Sequence, residues 1–200
     1  MTWQIFNISS GRWLGSCSIE PDADDLAARG EIAIECSHPG NGTLALVDGK
    51  AVAIPPQPSA YHEWTGRAWA ISTAAQAEKR SAEQEAVWAA IKNKRYNNLR
   101  GGIYVSSVQK WFQTDDGSRQ QYTFMRTLPE LPAGMQWKTM DNSFVTMSKP
   151  LLDELALKLL TDEQADFANA ERHRAAMLAA ANPLDYDYST GWTATYGGAA

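Results

Sequence analysis

Between Ser148 and the Asn182-Pro183 stop, the chain carries one uninterrupted helical pattern, and its length constrains the fold more than any other feature. Ser148 offers the hydroxyl an N-cap needs, and Pro150 falls in the first turn, where a missing N–H costs nothing. Apolar residues then recur at Leu152, Leu155, Leu159, Phe167, Ala170 and Met177, with charges between them. At ~1.5 Å rise per residue, about thirty-three residues span roughly 50 Å. A compact unit of this size does not cover that length, so part of the helix is expected to protrude or to pack on a neighbouring chain.

A second helix is expected from Ser72 to about Tyr96, a stretch without Pro or Gly and rich in Ala, Glu, Gln, Lys and Arg. Charges dominate it except near Val87, Trp88 and Ile91. A mostly polar helix with a narrow apolar stripe bridges two modules or pairs with another helix, so it is read as a connector over residues 72–98. Before it, residues 1–71 read as a small β-rich domain. Trp3 to Ile8 and Arg12 to Cys17 form one hairpin around Ser9-Ser10-Gly11. Pro21 to Gly30 has acids early and Gly last, the signature of one short helix, and Glu31 to Glu35 alternates as a strand. Thr43 to Ile54 is the clearest hairpin, because Asp48-Gly49 suits the type I′ turn that matches strand twist. Trp64 and Trp69 flank a last small hairpin at Thr65-Gly66.

A C-terminal unit occupies residues 99–182. Ile103, Val105 and Val108 suggest strands, with Trp111-Phe112 apolar just beyond, and Asp115-Asp116-Gly117-Ser118 reads as a turn running into a short helix from Ser118 to about Thr127. Asp141-Asn142-Ser143 turns between Met135–Thr139 and Phe144–Met147, a second hairpin signal. Residues 183–200 form an aromatic, Gly-rich tail whose Tyr186, Tyr188 and Trp192 are either loose or dock on a partner. The expected fold is therefore α+β: an N-terminal β-rich domain, a connector helix, and a unit of hairpins, a short helix and one long helix.

The net charge of −5 and the lack of a Lys/Arg cluster argue against nucleic acid as the main partner. No window approaches the roughly 18 apolar residues a membrane span needs. The first residues, Met1 to Phe6, have neither a basic nor an apolar leader region, so synthesis and folding in a cytoplasm are expected. Two cysteines, Cys17 and Cys36, do not make a disulfide framework. Eight Trp and seven Tyr are a heavy load for 200 residues; they serve small β cores, interfaces or sugar surfaces.

Chemistry-bearing constellations are sparse. Cys17, Cys36, His38 and His62 include metal-ligand types, but Cys36-Ser37-His38 has one intervening residue where structural zinc sites use two to four. There is no Gly-x-Ser-x-Gly elbow, and His173 lies among Glu171, Arg172 and Arg174, where a solvated helical face is expected. The pairs Asp24-Asp25 and Asp115-Asp116 sit at turns and helix starts, where acids are favoured for capping; as glycosidase acids they would have to flank a sugar cleft. Gly101-Gly102 and Gly197-Gly198 lack the flanks of a phosphate cradle, and no cofactor motif is visible.

The order of signals carries a resemblance. Pro58-Ser59-Ala60-Tyr61-His62-Glu63-Trp64 through Trp69 resembles a Pro-x-x-Tyr-His-x-Trp … Trp stretch of phage tail-fibre assembly and related tail proteins. Asp48-Gly49 followed by Pro55-Pro56 resembles, more generically, the opening of similar proteins. Ile91 to Arg95, Gly102 to Val105, Phe112 to Asp115, Trp137 to Met147, then Phe167 and His173 in the long helix, together resemble a domain family of unknown function common in prophages and encoded near tail-fibre genes. The resemblance covers roughly residues 75–182, and Trp137 to Val145 is its most specific piece. Thr127 to Pro132 departs from it, where the relatives run more Ala-rich helix.

The resemblance implies a non-enzymatic phage tail protein without a cofactor, a structural component or adaptor at the tail fibre or baseplate. It would be made in the host cytoplasm and carried in the virion. The alternatives are a tail-fibre assembly chaperone and a glycan-binding or glycan-cleaving tail protein. The expected partner is a fibre, spike or baseplate protein, with homo-oligomerisation and a trimer as the guess. Nucleic-acid binding and membrane insertion are not expected. Partner-facing residues are expected at Trp88, Ile91, Leu155, Leu159, Phe167 and Met177 on the two helices, and at Tyr186, Tyr188 and Trp192 in the tail.

Overall fold

A computed structural model describes residues 2–38 and 43–197. The architecture is α+β and divides into two compact units, Met1–Lys79 and Arg80–Ala200.

In the first unit, β1 (Trp3–Asn7) is the middle strand of an antiparallel sheet between β2 (Trp13–Cys17) and β3 (Glu31–Glu35). The β1–β2 register shifts between Ile5 and Phe6, a bulge that adds twist. Gln4 and Phe6 lie on the same face of β1 and are fully buried. Gln4 meets its polar requirement by accepting from Trp13 Nε1 at 2.9 Å and donating to Thr2 Oγ1 at 3.1 Å. The short helix α1 (Ala23–Ala28) is capped by Asp22, whose carboxylate accepts from the N–H groups of Asp24 and Asp25.

Strands β4 (Thr43–Val47) and β5 (Lys50–Ile54) pair around Asp48-Gly49, both at positive φ as a type I′ turn requires. The Arg12–Ala45 bridge ties this hairpin to the first sheet. Gly11 makes that approach possible: its φ is +67°, and a Cβ would lie 2.8 Å from the Leu46 carbonyl oxygen. A two-residue hairpin, β6 (Glu63–Trp64) with β7 (Trp69–Ala70), follows.

Helix α2 (Thr73–Leu99) enters the second unit at Arg80. There, β8 (Ile103–Val105) pairs with β9 (Lys110–Phe112), α3 spans Asp116–Thr127, β10 (Gln136–Lys138) pairs with β11 (Phe144–Thr146), and α4 spans Lys149–Ala179. Ser148 caps α4 with Pro150 in the first turn. Asp115 caps α3, accepting from Ser118 N–H at 3.0 Å and Ser118 Oγ at 2.7 Å. The other end of α3 is closed by Lys149 Nζ, which donates to the carbonyls of Met125, Arg126 and Leu128.

The long helix serves two cores in succession. Its first half packs Leu151, Leu152 and Leu155 with Ile103, Val105, Phe112, Tyr122, Met125 and Met147. Its second half packs Ala170 and Met177 with Val87 and Ile91 of α2. The expectation that α4 outruns its own unit is therefore corrected: about 46 Å of helix is needed because two cores sit along it. The helix read as a connector is likewise a core element of the second unit from Arg80 onward, where Ile91 is fully buried. The C-terminal segment is no loose tail over its described part. A 3₁₀ turn at Pro183–Asp185 leads into a stretch packed on α2 and α4; residues 198–200 of the region read as tail lie outside the described residues, as does Met1.

The Asp115 cap gives a first prediction. Hydrogen bonds from Ser118 hold the Asp115 carboxyl below its ordinary range. A depressed folded-state pKa contributes stability that is present above the unfolded value of about 3.9 and lost as pH falls through the folded value. Asp115→Ala is expected to destabilise the protein by about 1 kcal/mol at pH 7. In denaturant titrations the gap between variant and wild type should close as pH drops below about 4.

Candidate functional site

Four buried polar residues of the second unit, Asn98, Asp166, Asn169 and His173, cluster where α2, the second half of α4 and the C-terminal segment meet. Asp166, Asn169 and His173 project from one face of α4, at spacings of three and four that place them one above the other. Asp166 is 1% exposed. Its carboxylate accepts from Asn98 Nδ2 of α2 at 2.6 Å, and from Thr193 N–H at 2.8 Å and Thr193 Oγ1 at 2.9 Å. Asn98 Nδ2 also donates to the Thr193 carbonyl at 3.0 Å. One carboxylate thus holds a helix and a returning chain together.

One turn further on, Asn169 Nδ2 donates to the Thr190 carbonyl at 3.0 Å, and Arg172 donates to Asn169 Oδ1. His173 Nε2 lies 2.9 Å from the same Thr190 carbonyl, and its Nδ1 lies 2.8 Å from Tyr186 Oη. A carbonyl only accepts, so Nε2 carries the hydrogen and, in the neutral ring, Nδ1 accepts from the tyrosine hydroxyl. Trp192 stacks on the imidazole at 5.7 Å between centroids and donates its Nε1–H to the Tyr188 carbonyl at 2.8 Å. Gly191 turns the segment at φ +77°, beneath Arg172 and Asn169, where a Cβ would collide with both side chains. Arg80 closes α4 by donating to the carbonyls of Ala180 and Ala181. His173 is therefore buried, not solvated, because the C-terminal segment covers it.

The stretch from Trp137 to Val145 is a locked hairpin. Trp137 packs against Tyr122 at 4.7 Å and donates to Gln113 Oε1. Asp141 Oδ1 accepts from Thr139 Oγ1, Ser143 N–H and Ser143 Oγ, and Oδ2 accepts from Lys110 Nζ at 2.7 Å. Lys110, Thr139 and Ser143 together hold the Asp141 carboxyl well below the usual range. These contacts fix a turn in which Asn142 has φ +65°. The chemistry of the motif is conformational.

With this geometry in view, comparison with known proteins gives one match: a domain of unknown function, DUF4376, fits residues 82–190, more than half of the chain. The chain belongs to the DUF4376 family. No curated protein and no solved structure matches it. The DUF4376 span begins within α2 and ends at Thr190, so it contains Asn98, Asp166, Asn169, His173 and Tyr186 of the polar cluster.

The residues expected to face a partner divide sharply. Ile91, Leu155 and Met177 are fully buried inside the unit, and Trp88, Leu159, Tyr186, Tyr188 and Trp192 pack partly buried against its two cores. Only Phe167 stands out, half exposed with Arg95 over its ring. The narrow stripe of α2 and the aromatics of the tail satisfy one another. The exposed apolar residues of α4 are Leu157, Leu160, Phe167 and Leu178, of which the sequence reading named one.

In the first unit, Cys17 and Cys36 are free thiols, His62 bonds Ser59, and the His38 ring lies tilted against Trp13 at 5.0 Å between centroids. Among the described residues no group of three or more His, Cys, Asp or Glu is placed to hold a metal, and no helix is long and apolar enough to cross a membrane. Asp24-Asp25 and Asp115-Asp116 lie at the starts of α1 and α3, with Asp116 paired to Arg100 at 2.6 Å. Trp13, Trp64, Leu44 and Ile54 line a groove of about 400 Å³.

The clamp yields a second prediction. Asp166→Ala leaves the Thr193 N–H and hydroxyl without their acceptor and leaves the Asn98 amide only its bonds to Thr193, a loss expected to cost roughly 2–4 kcal/mol. Hydrogen exchange should show the amides of residues 186–196 losing protection while those of β8 and β9 keep it.

Proposed function

We propose that this DUF4376 protein is a non-enzymatic component of a bacteriophage tail, acting as a structural piece or adaptor at the tail fibre or baseplate. The observation that carries the non-enzymatic part is the fate of the buried polar groups. In the second unit Asn98, Thr114, Thr139, Asp166, Asn169 and His173 all spend their hydrogen bonds on backbone and neighbouring side chains. Groups used this way build a rigid body, which supports a structural role. The tail setting is supported by the order of motifs from Pro58 to His173, which resembles prophage proteins encoded near tail-fibre genes. In this reading the protein is made in the host cytoplasm and enters the virion with a fibre, spike or baseplate protein as partner.

Two other roles remain as readings. A fibre-assembly chaperone would contact the same partners and then leave. Glycan binding is favoured by one feature, the groove lined by Trp13 and Trp64, since indole faces stack on sugar rings. Trp69 is used elsewhere, donating its Nε1–H to the Pro55 carbonyl.

Mass spectrometry of phage particles purified from cells that carry the gene is expected to find the protein in fixed proportion to the tail proteins. Its absence from particles, with fibres malformed when the gene is deleted, would establish the chaperone instead. Absence with normal, infective particles would overturn both. On a glycan array, binding lost in Trp13→Ala and Trp64→Ala would establish the sugar reading, and no binding by the wild type would remove it.

A further inference from the structure

Apolar residues are distributed round α4, not confined to one stripe, the pattern of a helix covered on more than one side. The inner face is covered by the unit's own cores. Roughly 130° round the helix, at 100° per residue, a second row runs outward: Leu157, Leu160, Phe167 and Leu178, respectively 67%, 58%, 50% and 45% exposed. Ala168 and Ala175 lie on the same side and are also exposed. A row of about 30 Å is a larger apolar feature than the scattered exposed leucines of an ordinary surface.

The row has an internal symmetry. Leu157 and Leu178, Leu160 and Ala175, Gln164 and Glu171, Phe167 and Ala168 are four pairs that share one midpoint, between residues 167 and 168. Two copies of α4 laid antiparallel about that midpoint place Phe167 of each copy over Ala168 of the other, and Leu160 over Ala175. Large residues then meet small ones at these two pairs, with Gln164 opposite Glu171 between them. Leu178 of one copy falls opposite Leu157 of the other, beside a groove of about 310 Å³ lined by Leu157, Tyr104, Glu154 and Thr161.

Charge selects the same arrangement. The first half of the exposed side carries Asp153, Glu154 and Glu163 against Lys158, and the second half carries Arg172 and Arg174 against Glu171. Antiparallel pairing lays acidic half on basic half. On one flank it brings Glu163, already held by Arg119, within one turn of the other copy's Arg174, which inside its own chain lies 3.6 Å from Glu171 and 4.9 Å over the Trp88 ring. A parallel pair, or three helices about a three-fold axis, stacks like charge on like.

We propose that the outer face of α4 is a homodimer interface, in which a second copy of this chain lies antiparallel about a two-fold axis near Phe167. This replaces the trimer expected for a fibre-bound protein, and it does not depend on the virion reading, since it concerns the purified chain alone. One helix pair buries an area at the low end of specific interfaces, so a concentration-dependent dimer with Kd on the order of 1–100 µM is expected.

Sedimentation of the full chain should show monomer converting to dimer over that range, and Leu160→Glu with Phe167→Glu should weaken association by at least ~100-fold with unchanged circular dichroism. Glu163→Arg should weaken it and Arg174→Glu, added to that variant, should restore it. In chains with Cys17 and Cys36 replaced by Ser, Ala168→Cys should cross-link to its twin through a short bismaleimide. Leu157→Cys alone should not, since its twin lies about 30 Å away; mixed Leu157→Cys and Leu178→Cys chains should. A monomer at all concentrations, a trimer, a dimer indifferent to the Leu160 and Phe167 changes, or self-linking through residue 157 would each overturn the proposal.

Discussion

Asp166 is the point on which the second unit turns. A carboxylate buried to 1% exposure is stable only if donors surround it, and its donors come from two places far apart in the chain, Asn98 at the end of α2 and Thr193 beyond α4. Meeting that demand fixes which side of α4 faces α2 and brings the C-terminal segment back along the groove between them. His173, Tyr186 and Trp192 then complete a wall over Met177 and Ile91. A polar requirement thus positions an apolar core of few residues, and the apolar core in turn keeps water from competing for the polar contacts.

The same reasoning explains what could be read from the sequence. Signals that act within a few residues were legible: Asp48-Gly49 as a hairpin turn, Ser148 and Pro150 at the start of α4, Asp115 at the start of α3, Asn182-Pro183 as a stop. The hairpin of Ile103 to Phe112 was half visible, because Lys110-Trp111-Phe112 shows no alternation of its own. What depends on distant partners was not legible. His173 among Glu171, Arg172 and Arg174 looks like a wet surface until residues 186–192 are laid over it. Trp88 and Ile91 look like a stripe awaiting another chain until α4 and the tail supply the cover. One signal was present: Asp166, Asn169 and His173 recur at spacings of three and four between Asp162 and Met177, alongside buried Ala170, which is a polar stripe on an inward face.

The family span of 82–190 agrees with this division of labour. It takes in the helices, both hairpins of the second unit and most of the clamp, and leaves outside it the small β-rich unit with its bulged sheet and aromatic groove.

The clamp also imposes an order on biogenesis. Because Thr190 and Thr193 follow α4 in the chain, the polar stripe of Asp166, Asn169 and His173 is synthesised well before anything exists to cover it. At roughly 5–20 residues per second, the stretch from Asp166 to Thr193 takes about 1–5 s to add, and until then the polar stripe lacks its cover. The closing segment therefore sets when the second unit is complete: its second core is whole only once residues 186–193 lie over α2 and α4.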